Sequence, residues 1–373
     1  LSGAVASKAL APLFPEPPRS VLILKLSALG DICHTLPVVR TLQRAWPATR
    51  FTWVLGRTEA KFIGAIPEIE FIEFDKRAGW AGRRAVHRAL GKRIFDLLLH
   101  MQFAWRASQL AAGVRARVKL GYDRERALDL QWLFTSARIE AGQREHVMDG
   151  LFGFARRCGV IDRDYRWDIP IPAAAHDYAV RTIPDGERVL IISPCSSHPL
   201  RNWNAAGYAA VADHAVRKFG LRVLLCGGRT ELEQRAGQEI CELMTEPCSN
   251  LIGQDTLLEF YATLGRASAI ITPDSGPAHM ATSLGIPVVG LYAATNPARS
   301  GPYFSLDLCA SRFAEAARLF RGKPPEDLPW RTKIERPGVM DLIQSSDVIE
   351  RLEAALQRQP QRKPMPSGPS AAL

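Results

Sequence analysis

The sequence predicts an α/β protein built from two separately wound parallel sheets. Three observations carry that prediction. Short apolar runs alternate with amphipathic helical stretches, the mark of a parallel sheet covered on both faces. The alternation halts in a stretch punctuated by Pro and Gly, 163–187, and then restarts. The 373 residues also suit two domains of roughly 150 residues each.

The first half opens on an apolar run at 21–26, closed by the polar turn 27–31. Ile32, Leu36, Val39, Leu42 and Trp46 then recur at helical spacing. Pro37 falls inside that pattern and predicts a kinked or irregular start to the helix. Further strands are predicted at 51–55, 71–74, 94–99 and 118–121. Residues 163–187 hold Pro170, Pro172, Pro184 and Gly186 and read as a link. The second half has strands at 189–193, 222–226, 269–272 and 288–291. Helices are expected near 204–218, from 230, over 256–266 and from Gly276. Ser346 is placed to cap a last helix whose Val348, Ile349, Leu352 and Leu356 share one face. The expected division is 19–165, 186–342 and a terminal helix at 343–357. Residues 1–18 and 358–373 read as flexible ends, the first without the features of a signal peptide.

Composition excludes several classes. Hydrophobic residues make up 47% and charged residues 23%, which is too apolar for a disordered chain. The apolar runs at 189–192 and 286–291 are far shorter than the ~18 residues of a membrane span. Seven cysteines with no CxxC and no zinc spacing predict reduced, mostly buried thiols in a cytosolic protein. Cys33 and Cys195 read as space-fillers rather than nucleophiles. The net charge of +10 points to an anionic partner.

Three segments can carry chemistry. In ITPDSGPAHM, at 271–280, a strand delivers Asp274 to its carboxyl end. Ser275 and Gly276 turn the chain, and a helix starts. Ligands of open α/β sheets bind at that edge, and unpaired N–H groups there suit a phosphate. His279 would add a hydrogen bond. A plain capped helix explains the same residues. In LKLSALGDICHTLP, at 24–37, a Gly-containing loop again joins a strand to a helix, without GxGxxG or a P-loop. Asp31 reads either as a helix-start acid or as a general base at the sheet edge. In SPCSSHPLRNW, at 193–203, Ser196 and Ser197 offer hydroxyls and Arg201 can clamp a phosphate. Glu231, after Gly227 and Gly228, would meet a ribose or a base; a turn followed by a helix-start acid explains it equally well.

Taken in order, these segments resemble glycosyltransferase family 9, the ADP-heptose transferases of the lipopolysaccharide inner core. The resemblance runs over most of residues 20–357. It implies a GT-B fold, with two Rossmann-like domains facing across a cleft and the final helix crossing back to the first. Asp31 matches the family's catalytic aspartate, with Ser27 and Gly30 beside it in the acceptor loop. Asp274, Ser275, Gly276 and His279 match its diphosphate loop. Arg201 stands where the family often has Lys, and Ser275 and Pro277 depart from some members. Glu231 is the choice for the ribose acid.

The resemblance further implies inverting transfer from an ADP-sugar, without metal or other cofactor. Asp31 would take the acceptor proton, and Arg201 and the helix start would meet the charge on the departing ADP. No DxD pair stands near the motifs. The acceptor would be an anionic, lipid-linked saccharide. The enzyme would then be a cytoplasmic monomer, peripheral at the inner membrane face. Residues 76–93 carry seven Lys and Arg and no acid. Read plainly, this is a solvated face. Read functionally, Arg83, Arg84 and Arg88 meet the acceptor or the membrane, with Trp80 at the interface. A nucleic-acid binder lacks any supporting motif. A dehydrogenase lacks GxGxxG. A non-catalytic nucleotide-sugar sensor, or a relative using another donor or envelope glycan, differs from the main reading in function rather than in fold.

Overall fold

The computed structural model describes residues 13–358. They divide between Trp167 and Asp168 into two units. Among the described residues each unit holds one sheet of six parallel strands.

The first unit runs β1 (Ser20–Leu24), α1 (Leu29–Ala45), β2 (Arg50–Gly56), α2 (Arg57–Ile63), β3 (Ile69–Phe74), α3 (Gly79–Leu90), β4 (Phe95–His100), α4 (Trp105–Gly113), β5 (Ala116–Gly121), β6 (Ala137–Arg138) and α5 (Val147–Arg157). The strand order is β3-β2-β1-β4-β5-β6. Leu22 and Leu24 of β1 and Leu98 of β4 pack with Val86 and Leu90 of α3 and Leu110 of α4. The other face is covered by α1, which packs against α5. Strands buried on both faces need no polar alternation, so β1 reads VLIL without a break.

Helix α1 is continuous through Pro37, against the irregular start that Pro37 predicts. A proline has no N–H to give the carbonyl four residues earlier, here Cys33. The Trp167 indole supplies that hydrogen bond, Nε1 donating to Cys33 O at 2.6 Å. A side chain 134 residues away thus satisfies the carbonyl that Pro37 leaves open.

The second unit runs α6 (Ala173–Thr182), β7 (Val189–Ile192), α7 (Ala205–Phe219), β8 (Arg222–Leu225), α8 (Glu231–Leu243), β9 (Cys248–Asn250), α9 (Leu257–Leu264), β10 (Ala269–Pro273), α10 (Gly276–Ser283), β11 (Val288–Tyr292), α11 (Pro297–Ser300), β12 (Ala310–Ser311), α12 (Phe313–Arg321) and α13 (Ser345–Gln357). The order β12-β11-β10-β7-β8-β9 repeats the winding of the first unit. Asn204 caps α7, its Oδ1 accepting from Gly207 N at 2.7 Å, and Gly220 ends the helix at φ 61°.

Three expectations are corrected here. The stretch read as a link holds the boundary between the units, but past that boundary it is ordered as α6, whose Ala175 and Ala179 pack on Ala262 of α9. Pro172 and Pro184 flank that helix. The apolar face of α13, expected on the first domain, is buried in the second unit's own core through Val348, Leu352 and Ala355. Cys241 and Cys248 form a disulfide, with Cα atoms 5.9 Å apart, where thiols were expected. The last turn of α8 passes the edge strand β9 and brings them together. The other five cysteines are buried and free.

The expected flexible ends fall mostly outside the described residues. Of the parts described, Pro18 O accepts from Thr49 Oγ1 at 2.5 Å, and Arg358 pairs with Asp307. Among the described residues no helix is long and apolar enough to cross a membrane.

Candidate functional site

In both sheets the strand order reverses between the first and the fourth strand of the unit. Crevices at such switch points, at the carboxyl ends of the strands, are where open α/β sheets bind ligands. In the first unit the switch lies between β1 and β4, and β1 leads directly into the loop before Asp31. In the second it lies between β7 and β10. Those strands lead into the loop holding Ser196, Ser197 and Arg201 and into Asp274, Ser275 and Gly276.

Asp31 occupies the first turn of α1. Its carboxylate accepts from Ala28 N at 3.3 Å and lies 3.0 Å from Lys25 Nζ. Half of the helix-start reading is therefore true: Asp31 does close the first turn. Its side chain is nonetheless 40% exposed, while that of Lys25 is 4% exposed. A lysine is rarely buried unless paired. Lys25 pairs with one side of the carboxylate, and the other side meets solvent. Ser27, in the loop before α1, and Gly30, in its first turn, are half-buried. Gly56, at the end of β2, lets the chain run close beneath this loop. A Cβ at Gly56 would stand 2.9 Å from Leu26 O. Burial raises the nearby Glu59 carboxyl, with the charge of Lys76 opposing and that of Asp31 adding.

The basic residues of α3 lie elsewhere in the unit. Helix α3 packs on β3 and α4, and β3 is separated from β1 by β2. Arg84 and Arg88 are exposed. Arg83 is engaged with its neighbours: it donates to Gln109 Oε1, and its guanidinium lies 3.6 Å over the Trp80 ring.

The second unit gathers its expected residues more tightly. Arg201 donates to Glu335 Oε1 through Nε at 2.9 Å and Nη2 at 2.6 Å. Its Nη1 lies 3.9 Å from Asp274 Oδ2. Burial pushes the Glu335 carboxyl up, but the hydrogen bonds and charge of Arg201 outweigh it and hold the group low. Ser300 Oγ donates to Asp274 at 3.5 Å. Ser275 precedes α10 and makes no side-chain cap; its hydroxyl instead lies 2.8 Å from Thr272 Oγ1. No side-chain cap therefore covers the first N–H groups of α10. His279 is buried on the same helix.

Two expected donor residues turn out to build structure. The Ser196 hydroxyl both donates to His198 O at 3.0 Å and accepts from His198 N at 3.2 Å, which leaves Ser197 as the exposed hydroxyl. Glu231 is exposed and pairs with Arg235 one turn along α8. The acid that meets the glycine turn is Glu233, which accepts from Gly228 N at 2.7 Å and closes a capping box with Thr230. An acid at the third helical position folds back onto the turn; one at the first points along the helix.

Sequence reasoning missed Lys25, Glu335, Lys333 and Asp255. Lys25 had a signal, a single charge closing an apolar strand. Glu335 had none, since it reaches Arg201 from 134 residues away. Lys333, two residues before it, is depressed by partial burial and by the charges of Arg201 and Arg299. Burial, then the charge of Glu259, raises Asp255 to about 7, with Arg229 opposing. The unfolded carboxyl keeps its proton only below about 4, whereas the folded one keeps it to about 7. Between those values the folded state binds more protons, so stability falls as pH rises through that window. Thermal melts are expected to show a loss between pH 4 and pH 7 that shrinks in Asp255→Asn. An unchanged pH dependence in that variant would assign the loss elsewhere.

Among the described residues no three His, Cys, Asp or Glu side chains cluster as a metal site would need. Burial raises the Cys195 thiol to about 11, with the charge of Glu233 adding. That agrees with an unreactive space-filler.

The description glycosyltransferase family 9 (heptosyltransferase) matches residues 83–324. The lipopolysaccharide core heptosyltransferase OpsX of Haemophilus influenzae is 39% identical, over 92% of this chain and 98% of that protein. Lipopolysaccharide heptosyltransferase 3 of Escherichia coli is 24% identical over 72% of this chain and 81% of that one. Among solved structures, the glycosyl transferase family 9 protein of Veillonella parvula superposes with a TM-score of 0.74 at 23% identity, over 91% of this chain and 97% of that chain. The E. coli heptosyltransferase WaaC with ADP gives 0.68 at 19% identity, over 90% and 99%. The likeness spans both sheets, and the shared fold is the GT-B type expected above.

Proposed function

The chain belongs to glycosyltransferase family 9, and from that premise we propose that it moves a heptose from an ADP-activated donor to a hydroxyl of the lipopolysaccharide inner core. The observation that carries the reading is that each unit holds a set of expected residues at its own switch point. One presents a half-exposed Asp31 paired with Lys25. The other presents Arg201 and the uncapped start of α10 around Asp274.

Asp31 takes the proton of the acceptor hydroxyl as its oxygen attacks the anomeric carbon from the face opposite the leaving group, so configuration inverts. The bond to the diphosphate breaks, and its electron pair leaves with ADP. Arg201 and the N–H groups at the start of α10 meet that charge without a metal ion. His279 and Ser197 complete the donor loop, and the ribose lies at the turn of Gly227 and Gly228. The exposed, acid-free basic face of α3 supports attraction of an acidic, lipid-linked acceptor; the proposal further has the enzyme act as a monomer at the cytoplasmic face of the inner membrane.

The test is transfer in solution. Incubation with ADP-heptose and a Kdo-bearing lipid is expected to add one heptose, read by mass spectrometry, with stoichiometric release of ADP. Release of ADP without a change in the acceptor would contradict the acceptor class. No turnover with either substrate would contradict the function.

A further inference from the structure

We propose that an exposed apolar ridge of the first unit, formed by Trp105, Leu128, Leu130, Trp132 and Leu133, seats the protein on an anionic lipid surface beside the acceptor loop. The proposal rests on the reading of the acceptor as lipid-linked.

Large apolar side chains exposed singly are ordinary, but a contiguous group marks an interaction surface. These five are all exposed, Leu133 by 57%. They come from two segments joined into one surface. Trp105 N donates to Asp129 Oδ2 at 3.0 Å, and the Trp105 ring meets Phe134 edge-on at 5.6 Å. The ridge is held from beneath by Gln131, which is fully buried. Its Nε2 donates to His100 O at 2.9 Å and Gln102 O at 3.0 Å, and its Oε1 accepts from Tyr122 N at 3.1 Å. These amide hydrogen bonds tie the turn to the carboxyl ends of β4 and β5. Leu130 itself sits at φ 57°, a conformation that a leucine adopts only where its surroundings enforce it. A loop anchored in this way displays its apolar side chains by construction.

The charge beside the ridge identifies the occupant. Gln109, one turn along α4 from Trp105, accepts from Arg83, whose guanidinium covers Trp80. Trp80 is 71% exposed, and α3 carries Arg84 and Arg88 with no acid. Tryptophan flanked by arginine suits the boundary between anionic headgroups and acyl chains. The ridge also shares an edge with the proposed base. Gln102 Oε1 accepts from Leu26 N at 3.2 Å, which joins the loop after β4 to the loop before Asp31. The surface that seats the lipid and the carboxylate that needs its sugar thus lie along one side of one sheet.

The experiment compares the full chain with a variant carrying Trp105→Ser, Leu130→Ser, Trp132→Ser and Leu133→Ser. A milder variant, Leu130→Ser with Leu133→Ser, serves if the first does not fold. The parent is expected to float with vesicles of phosphatidylglycerol and phosphatidylethanolamine and not with phosphatidylcholine alone. Bromine on the acyl chains should quench its tryptophan emission. The variants should partition at least tenfold more weakly while keeping ADP affinity and melting temperature. They should also lose at least tenfold in kcat/KM on the acylated acceptor and nothing on a deacylated one. Equal vesicle binding by parent and variants would overturn the proposal. So would a parent dimer that the substitutions dissociate, since the ridge would then be an interface between copies. The vesicle measurements need no turnover, so they decide the proposal even if heptosyl transfer itself is not found.

Discussion

Asp31→Asn is expected to lower the transfer rate at least about a thousandfold while ADP binds as before. A positioned base contributes roughly 10²–10⁴ to such a step, and asparagine has the shape of the carboxylate without its basicity. The substitution keeps an oxygen for Ala28 N, so the helix start survives. It leaves Lys25, whose side chain is 4% exposed, without its counter-charge. A buried lysine left without its partner is costly. Asp31→Asn should therefore also melt at a lower temperature. Lys25→Met added to it should recover stability without recovering activity. That separation, read by melting curves beside a transfer assay, tells loss of the base from loss of the fold. Turnover within tenfold of the parent would remove Asp31 from the mechanism.

Arg201→Ala is expected to weaken ADP by about 100-fold, or about 3 kcal/mol, in calorimetry. The loss exceeds that of one hydrogen bond, because Arg201 stands between two carboxylates. Glu335 holds its Nε and Nη2, and Asp274 lies 3.9 Å from Nη1. Without the guanidinium, two negative charges face the incoming diphosphate. Adding Glu335→Gln to Arg201→Ala should recover part of the affinity, a non-additivity that a simple folding defect would not show. Arg201→Lys should fall between, since it keeps the charge and loses the planar fork. ADP affinity within twofold of the parent in Arg201→Ala would show that the diphosphate lies elsewhere.

The legibility of the fold followed burial. Strands covered on both faces announce themselves as unbroken apolar runs, so β1, β2, β4, β7, β10 and β11 were readable. The edge strands β6, β9 and β12 were not: they are two or three residues long, and Cys248–Asn250 has no apolar core of its own. Helix α6 hid behind two prolines that bracket it. For the candidate site, local residues were legible and distant partners were not. Asp31 and Asp274 lie at the ends of strands in short motifs. The group that orients Arg201 arrives from a segment with no recognisable pattern. Glu231 and Glu233 are two residues apart in a polar run, and only the geometry of the first helical turn separates the outward acid from the inward one.

Pro37 and Trp167 have a consequence for how the chain tolerates change. The proline opens a carbonyl at Cys33, and the indole closes it. A sequence that regained a backbone N–H at position 37 would release position 167 from its aromatic duty. A sequence that lost the indole first would carry a buried, unpaired carbonyl in the helix that holds the proposed base. The two positions are thus coupled through one carbonyl, and a change at 167 is tolerated only where position 37 can donate again.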